Sequence, residues 1–316
     1  MPDRIVSAFA PATVSNVACG FDVLGFALES PGDYVDARAT AAGGVHIEAV
    51  FGDGGRLPRE AARNTAGVAA RALLDAIGEK QGVTLTIKKG LPLASGLGGS
   101  AASAVAAVVA VAGLFNARVP IETLLACALE GEGLGKGEAH PDNVAPCLYG
   151  GFVLVRQPSP PDIISLPVPS GLTAVVVHPE LEIETAKARA LLGTEVSLKA
   201  AIQQWANLGA LVDGLHRSDF AQISRALEDT IAEPRRASLV PGLAQIKRAA
   251  TEAGALGCSL SGSGPSLFAL CPSPAAAEAV AAAMTSAVRL HVGGEPQTYI
   301  SPLSRRGAHV TSTCAS

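Results

Sequence analysis

Aromatic residues make up only 4% of this 316-residue chain, with one Trp and three Tyr. Any core must therefore be built from Ala, Val, Leu and Ile. Charge is also scarce: charged residues are 16% of the chain and the net charge is -4. No broad positive field exists, which argues against binding nucleic acid or an acidic membrane surface. Six cysteines stand at 19, 127, 147, 258, 271 and 314, with no C-x-x-C pair and no zinc-type spacing. Most lie in apolar runs, where Cys acts as a small hydrophobe, and a reducing, cytoplasmic setting is expected. No long apolar region follows Met1-Pro2-Asp3-Arg4, so no signal peptide is expected. A membrane span is lacking too. Residues 90 to 117 carry no charge, but their apolar part, Ala101 to Phe115, has 15 residues against the roughly 20 that a span needs. It reads as a buried helix.

What is present is hydrophobic mass, 48% of residues, in a chain long enough for two domains. The balance points to small molecules, or a second copy of the chain, as partners. Alternation predicts strands over Arg4 to Ala10, Val45 to Phe51 and Val83 to Ile87. Between the last two, Ala69, Ala72, Leu73, Ala76 and Ile77 share one helical face. Prolines 158, 160, 161, 167 and 169 read as a break, placing a boundary at about 156 to 171. The expected domains are 1–156 and 171–316. In the second, strands are expected at 172–177, 256–260, 266–270 and 297–300, and helices at 197–215, 218–231, 241–253 and 275–288. This order suggests an α+β class.

The segment Pro92-Leu93-Ala94-Ser95-Gly96-Leu97-Gly98-Gly99-Ser100-Ala101-Ala102 joins a strand to the apolar helix. Its glycines let the backbone approach a ligand, and free N–H groups at a helix start attract an anion. The Ser100 hydroxyl suits a magnesium ion. The same segment would also serve as a plain capping turn. It is no Walker A loop, since no Lys follows; Gly135-Lys136 has Glu130 and Gly137 at the other defining positions. Nor does it complete a dinucleotide fingerprint, because no acidic residue sits about 20 residues on.

Three further clusters carry polar groups among small residues. Asn16 and Asp22 sit in a turn-rich stretch ending Gly20-Phe21-Asp22-Val23-Leu24-Gly25. Glu132 precedes His140-Pro141-Asp142-Asn143, where carboxylate and amide suit a metal and an amine. Leu260-Ser261-Gly262-Ser263-Gly264-Pro265-Ser266 is a second Gly-rich loop. Each reads equally well as an ordinary turn.

In this order the segments resemble the three signatures of the GHMP small-molecule kinases, from Ala10 to about Ala308. His140-Pro141-Asp142-Asn143-Val144-Ala145-Pro146 and the Asn16 to Gly25 stretch are similar to the homoserine kinases among them. The resemblance implies a two-domain GHMP kinase fold, ribosomal-S5-like first and ferredoxin-like second. It implies ATP wrapped by residues 92 to 102, with Asn64 on the adenine side and Mg²⁺ held by Ser100 and Glu132. It implies L-homoserine met by Asn16, Asp22, Asp142 and Asn143, its carboxylate by Arg189, with Thr185 nearby, and by Arg236 rather than Arg235. The product would be O-phospho-L-homoserine, for threonine biosynthesis. Asp22 is a candidate general base, with the γ-phosphate as the other proton acceptor. Homodimers are common in the family. Two positions depart from its pattern: Gly99 replaces the first Ser of an S-S pair, and Cys19 stands where Pro is usual.

Overall fold

The computed structural model describes residues 4–134 and 140–315; the Gly135-Lys136 pair lies outside them. In chain order the strands and helices of the first half are β1 (Arg4–Val17), β2 (Gly20–Thr40), β3 (Val45–Phe51), α1 (Thr65–Ile77), β4 (Gly82–Lys88), α2 (Gly99–Leu114), α3 (Ile121–Glu132), α4 (Pro141–Tyr149), β5 (Phe152–Pro158) and β6 (Pro161–Leu166). Those of the second are β7 (Thr173–His178), α5 (Thr185–Ala190), α6 (Leu198–Arg217), α7 (Phe220–Ala226), α8 (Ala232–Arg236), α9 (Leu243–Glu252), β8 (Gly257–Leu260), β9 (Leu267–Cys271), α10 (Pro274–His291), β10 (Gln297–Pro302) and β11 (His309–Ala315).

The first sheet has seven strands, ordered β11-β1-β2-β4-β3, with β5 paired to β2 and β6 to β5. Its pairs are antiparallel except β3 with β4, which α1 connects as a crossover. The second sheet is ordered β10-β7-β9-β8. With α10 between β9 and β10, this is the split βαββαβ arrangement of a ferredoxin-like domain. The α+β expectation holds.

The uncharged stretch becomes α2, apolar on every side and hence buried. It packs against α1, α3, β1 and β2. Alanines at 101, 102, 104, 106 and 107, all fully buried, let these neighbours approach closely. Among the described residues, no helix is long and apolar enough to cross a membrane.

The structure corrects several expectations. The proline-rich break is largely the β5–β6 hairpin, in which Pro158 faces Pro161 and Leu166 faces Phe152. Proline is tolerated there because it stands at strand ends, where a missing N–H costs no ladder bond. The chain also returns to the first sheet at its end, where β11 pairs with β1. The helix expected over 218–231 stops at Ala226; a turn follows, then the short α8. The turn-rich stretch at 10–25 is mostly strand. β1 runs on to Val17 and turns into β2 through Ala18, with Asn16, Ala18 and Asp22 at φ of 56°, 46° and 57°. Asn and Asp adopt this left-handed geometry more readily than other non-Gly residues.

Candidate active site

A cleft of about 450 Å³ lies where the glycine loop meets the two polar turns and helices α5 and α8. The loop holds its shape through two glycines. Gly96, at φ 76°, passes so near the second Gly-rich loop that a Cβ there would lie 2.4 Å from the Ser261 carbonyl oxygen. Gly98, at φ 66°, caps α2, and a Cβ there would lie 2.1 Å from Thr13 Oγ1. Ser261 Oγ donates to Gly96 O at 2.7 Å, and the Ser266 and Gly262 amides donate to Ser95 O and Ser15 O. The two glycine loops are thus stitched together.

Pro92, Leu93, Ala94, Ser95, Gly96, Gly98, Gly99 and Ser100 line the cleft. Leu97, Ala101 and Ala102 were expected with them and do not. All three side chains are fully buried, and the Ala102 amide already donates to Gly98 O at 2.8 Å. The apolar members of the motif hold the loop down onto the core. The Ser95 hydroxyl is buried in the loop with no hydrogen-bond partner among the described residues, an arrangement that calls for a polar ligand.

Asn64 lines the cleft as the N-cap of α1. It accepts from the Ala66 amide at 3.0 Å and donates to Pro58 O at 2.8 Å. Glu132, at the end of α3, is 4% exposed and lines the cleft with Ser100. Their hard oxygens fit a magnesium ion, which takes one or two protein oxygens and completes its shell with phosphates and water.

On the other side of the cleft, Asn16 accepts from the Asp22 amide at 2.8 Å and donates to Gly262 O at 2.9 Å, tying the β1–β2 turn to the second glycine loop. Asn143 accepts from Thr13 Oγ1 and donates to Ser15 Oγ, both at 2.9 Å. One N–H of its amide is left to offer. Asp22 is engaged by Arg189, whose Nη2 and Nη1 donate to Asp22 Oδ2 at 2.8 and 3.0 Å. Thr185, exposed at the start of α5, lies 3.4 Å from Ser263 Oγ.

Arg236 is 3% exposed. Its Nε and Nη1 donate to the carbonyls of Ala188 and Gly262, both at 3.2 Å, and its guanidinium lies 5.1 Å from the Phe21 ring centre. Among the described residues no carboxylate is within ion-pair distance of it. Burial lowers its pKa, and Asp22 opposes the shift. Arg235 points away and donates to Glu195 O at 2.6 Å. Asp142, second residue of α4, is 2% exposed. Burial pushes its carboxyl up to about 7, Asp22 adds to this, and the Ser15 hydroxyl pulls it back.

One element escaped the sequence reading. Lys89 lines the cleft floor and pairs with the fully buried Asp33. Its Nζ also donates to Gly99 O at 2.7 Å and Ser103 Oγ at 2.9 Å. Asp33 in turn accepts from the amides of Gly90 and Leu91. The pair fastens the glycine loop from below. The available signal was Lys88-Lys89 immediately before the loop.

Comparison with known proteins agrees with the resemblance. The model for the GHMP kinases N terminal domain matches residues 64–151, and that for the GHMP kinases C terminal domain matches residues 211–290. The chain is 46% identical to the homoserine kinase of Chlorobium phaeobacteroides, covering 97% of this chain and 99% of that one. It is 45% identical to the homoserine kinase of Chlorobaculum tepidum, covering 98% and 99%. The crystal structure of homoserine kinase from Cytophaga hutchinsonii superposes with a TM-score of 0.94 at 46% identity, covering 97% of each chain. The chain therefore belongs to the GHMP kinases, and within them to the homoserine kinase family.

Proposed function

We propose that this cleft transfers the γ-phosphate of ATP to the side-chain hydroxyl of L-homoserine, with Ser100 and Glu132 holding Mg²⁺. The observation that carries the reading is the buried guanidinium of Arg236, which has no carboxylate partner among the described residues and lines the same cleft as the glycine loop. A buried cation of this kind calls for an anion, and the carboxylate of an amino acid supplies one in two-point fashion. Asp22, Asp142 and Asn16 surround the position left for the ammonium group. Arg189, now engaged with Asp22, would turn to share the carboxylate with Arg236.

Magnesium, when bound, neutralises charge on the triphosphate. The chain's own residues do the positioning. Backbone N–H groups of the 92 to 100 stretch face the phosphates, with the Ser95 hydroxyl as a further donor. Asn64 lies toward the adenine. The substrate hydroxyl is brought into line with the γ-phosphorus by holding both ends of its zwitterion. A loose transition state asks little of a base before bond formation. Asp22, paired with Arg189 at 2.8 Å, is better suited to hold the substrate than to take its proton, and the γ-phosphate is left as acceptor. Cys19, Cys127, Cys147, Cys258 and Cys271 are free and buried, which suits a cytoplasmic setting.

The test is ADP release across L-homoserine, mevalonate, shikimate and galactose, with the phosphorylated product identified by ³¹P NMR. L-Homoserine is expected to turn over fastest. A faster non-amino-acid alcohol would overturn the proposal.

A further inference from the structure

The two groups assigned to opposite ends of the zwitterion come from distant parts of the chain. Asp22 follows the β1–β2 turn and Arg236 ends α8. Helix α8 has five residues, including Pro234, too few to hold its own shape. It is held from outside through its first turn. The Ile231, Ala232 and Glu233 amides all donate to the Asp229 carboxylate, at 2.8, 2.9 and 2.8 Å. The Glu233 carboxylate is clasped by Lys247, Ser259 and the Leu260 amide.

Asp229 is itself held by Gln204 of α6, a buried amide that reaches three parts of the chain. Gln204 Nε2 donates to Asp229 Oδ1 at 3.0 Å and to Cys19 O at 3.1 Å. Gln204 Oε1 accepts from the Thr230 amide at 2.8 Å, and the Thr230 hydroxyl, 3.0 Å away, shares its one proton between Gln204 Oε1 and the Ala200 carbonyl. Cys19 lies in the β1–β2 turn, three residues before Asp22. One side chain therefore ties the cap of α8 to the turn that presents Asp22.

We propose that Gln204 is a positioning residue that fixes the separation between Arg236 and Asp22, and so sets the fit of the site to an α-amino acid. It touches neither substrate in this scheme; it acts through Asp229 and the Cys19 carbonyl. The inference rests on the assignment of Asp22 and Arg236 to the L-homoserine zwitterion. Gln204 does not line the cleft, and none of its hydrogen bonds described above reaches the glycine loop, so nucleotide binding should be indifferent to it.

The experiment is steady-state kinetics on Gln204→Met and Gln204→Glu, varying L-homoserine and ATP separately, with thermal unfolding alongside. Gln204→Met keeps length and loses the bonds to Asp229, Cys19 O and Thr230. It should raise the L-homoserine KM tenfold or more and leave the ATP KM within twofold. Gln204→Glu keeps the acceptor for Thr230 but sets a carboxylate against Asp229 and Cys19 O. Its L-homoserine KM, relative to the parent's, should recover as pH falls from 8 to 5.5 and the new carboxyl regains a donor proton. Should Gln204→Met not fold, Thr230→Val removes one bond to Gln204 and is expected to raise the L-homoserine KM two- to fivefold. An unchanged L-homoserine KM in a folded variant, or equal rises in both KM values, overturns the inference. A parent enzyme that never phosphorylates L-homoserine instead overturns the functional reading itself, which keeps the two failures distinct.

Discussion

Asp142 gives the sharpest pH prediction. Its carboxyl is 2% exposed and is raised to about 7, first by burial, then by Asp22, with Ser15 opposing and Glu132 adding a little. The unfolded chain has an ordinary Asp there. Between about pH 4 and 7 the folded chain thus holds a proton that the unfolded chain has released. The folded state binds more protons, so stability falls as pH rises through this window. The contribution is fully present below about pH 4 and gone above about pH 7. Some three pKa units at 1.36 kcal/mol each make roughly 4 kcal/mol in all. Asp142→Asn keeps the neutral form at every pH. Its stability advantage over the parent should therefore grow by about 3 kcal/mol between pH 5 and pH 8, read from urea denaturation midpoints at the two pH values. On the proposed assignment of Asp142 to the substrate's ammonium group, L-homoserine would reverse the preference by favouring the ionised carboxylate. L-Homoserine binding at pH 6 should release a proton, detectable by calorimetry in buffers of different ionisation enthalpy, and the variant should release none from this group. A pH-independent stability advantage for Asp142→Asn would falsify the raised pKa and the burial argument behind it.

Other consequences follow from the same cleft. Arg236→Met removes a buried cation that no carboxylate among the described residues compensates; Gly262 O keeps its bond from Asn16. Thermal stability should hold within about 1–2 kcal/mol, while L-homoserine affinity falls by roughly 2–5 kcal/mol, the usual loss when one side of a buried charge pair is removed; a large fall in stability with unchanged affinity would contradict this. Ser100→Ala with Glu132→Gln should lower kcat by about 10²- to 10³-fold through the loss of several kcal/mol of metal-assisted stabilisation, and excess Mg²⁺ should restore little of it. Gly98→Ala drives a Cβ into Thr13 and strains a left-handed residue. The ATP KM should rise at least tenfold, and an unchanged nucleotide KM would mean that the loop does not hold the phosphates.

The readable parts of the chain were those whose chemistry is local. Helix α2 announced itself because every position is apolar or small, and the glycine loop because three of its eleven residues are Gly. Strand β2 was unreadable for the opposite reason. Pro31, Gly32 and Asp33 sit inside it and read as a turn, yet the strand tolerates them because it changes partner there, from β5 on its first half to β4 on its second. Helix α4 was hidden by Pro141 and Pro146; the first stands at N1, where a helix accepts Pro without losing a bond. The site residues came from motif resemblance, which carries identity but not pairing. That Arg189 would be found on Asp22, or Lys89 beneath the loop on Asp33, depends on contacts 167 and 56 residues apart in sequence, and no local pattern encodes such distances.

The pairing of Asp22 with Arg189 bears on how the site would admit its substrate. Unpaired, each charge would face a cleft whose other members include Asp142, about half protonated at pH 7, and Arg236, whose hydrogen bonds among the described residues go to carbonyls. Paired, they neutralise each other at little cost in hydration, since both side chains remain more than one-third exposed. On the proposed assignment a zwitterion would enter by exchange: its carboxylate would take Arg189 and its ammonium Asp22, so that one ion pair becomes two without stranding a charge. An alcohol lacking one of these groups would open the pair and leave Asp22 or Arg189 unmatched. Discrimination against it should exceed what the missing contact alone is worth. γ-Hydroxybutyrate, which keeps the carboxylate and the primary alcohol but has no ammonium, tests this directly. Its kcat/KM should lie below that of L-homoserine by 10⁴-fold or more, and a deficit of tenfold or less would refute the exchange.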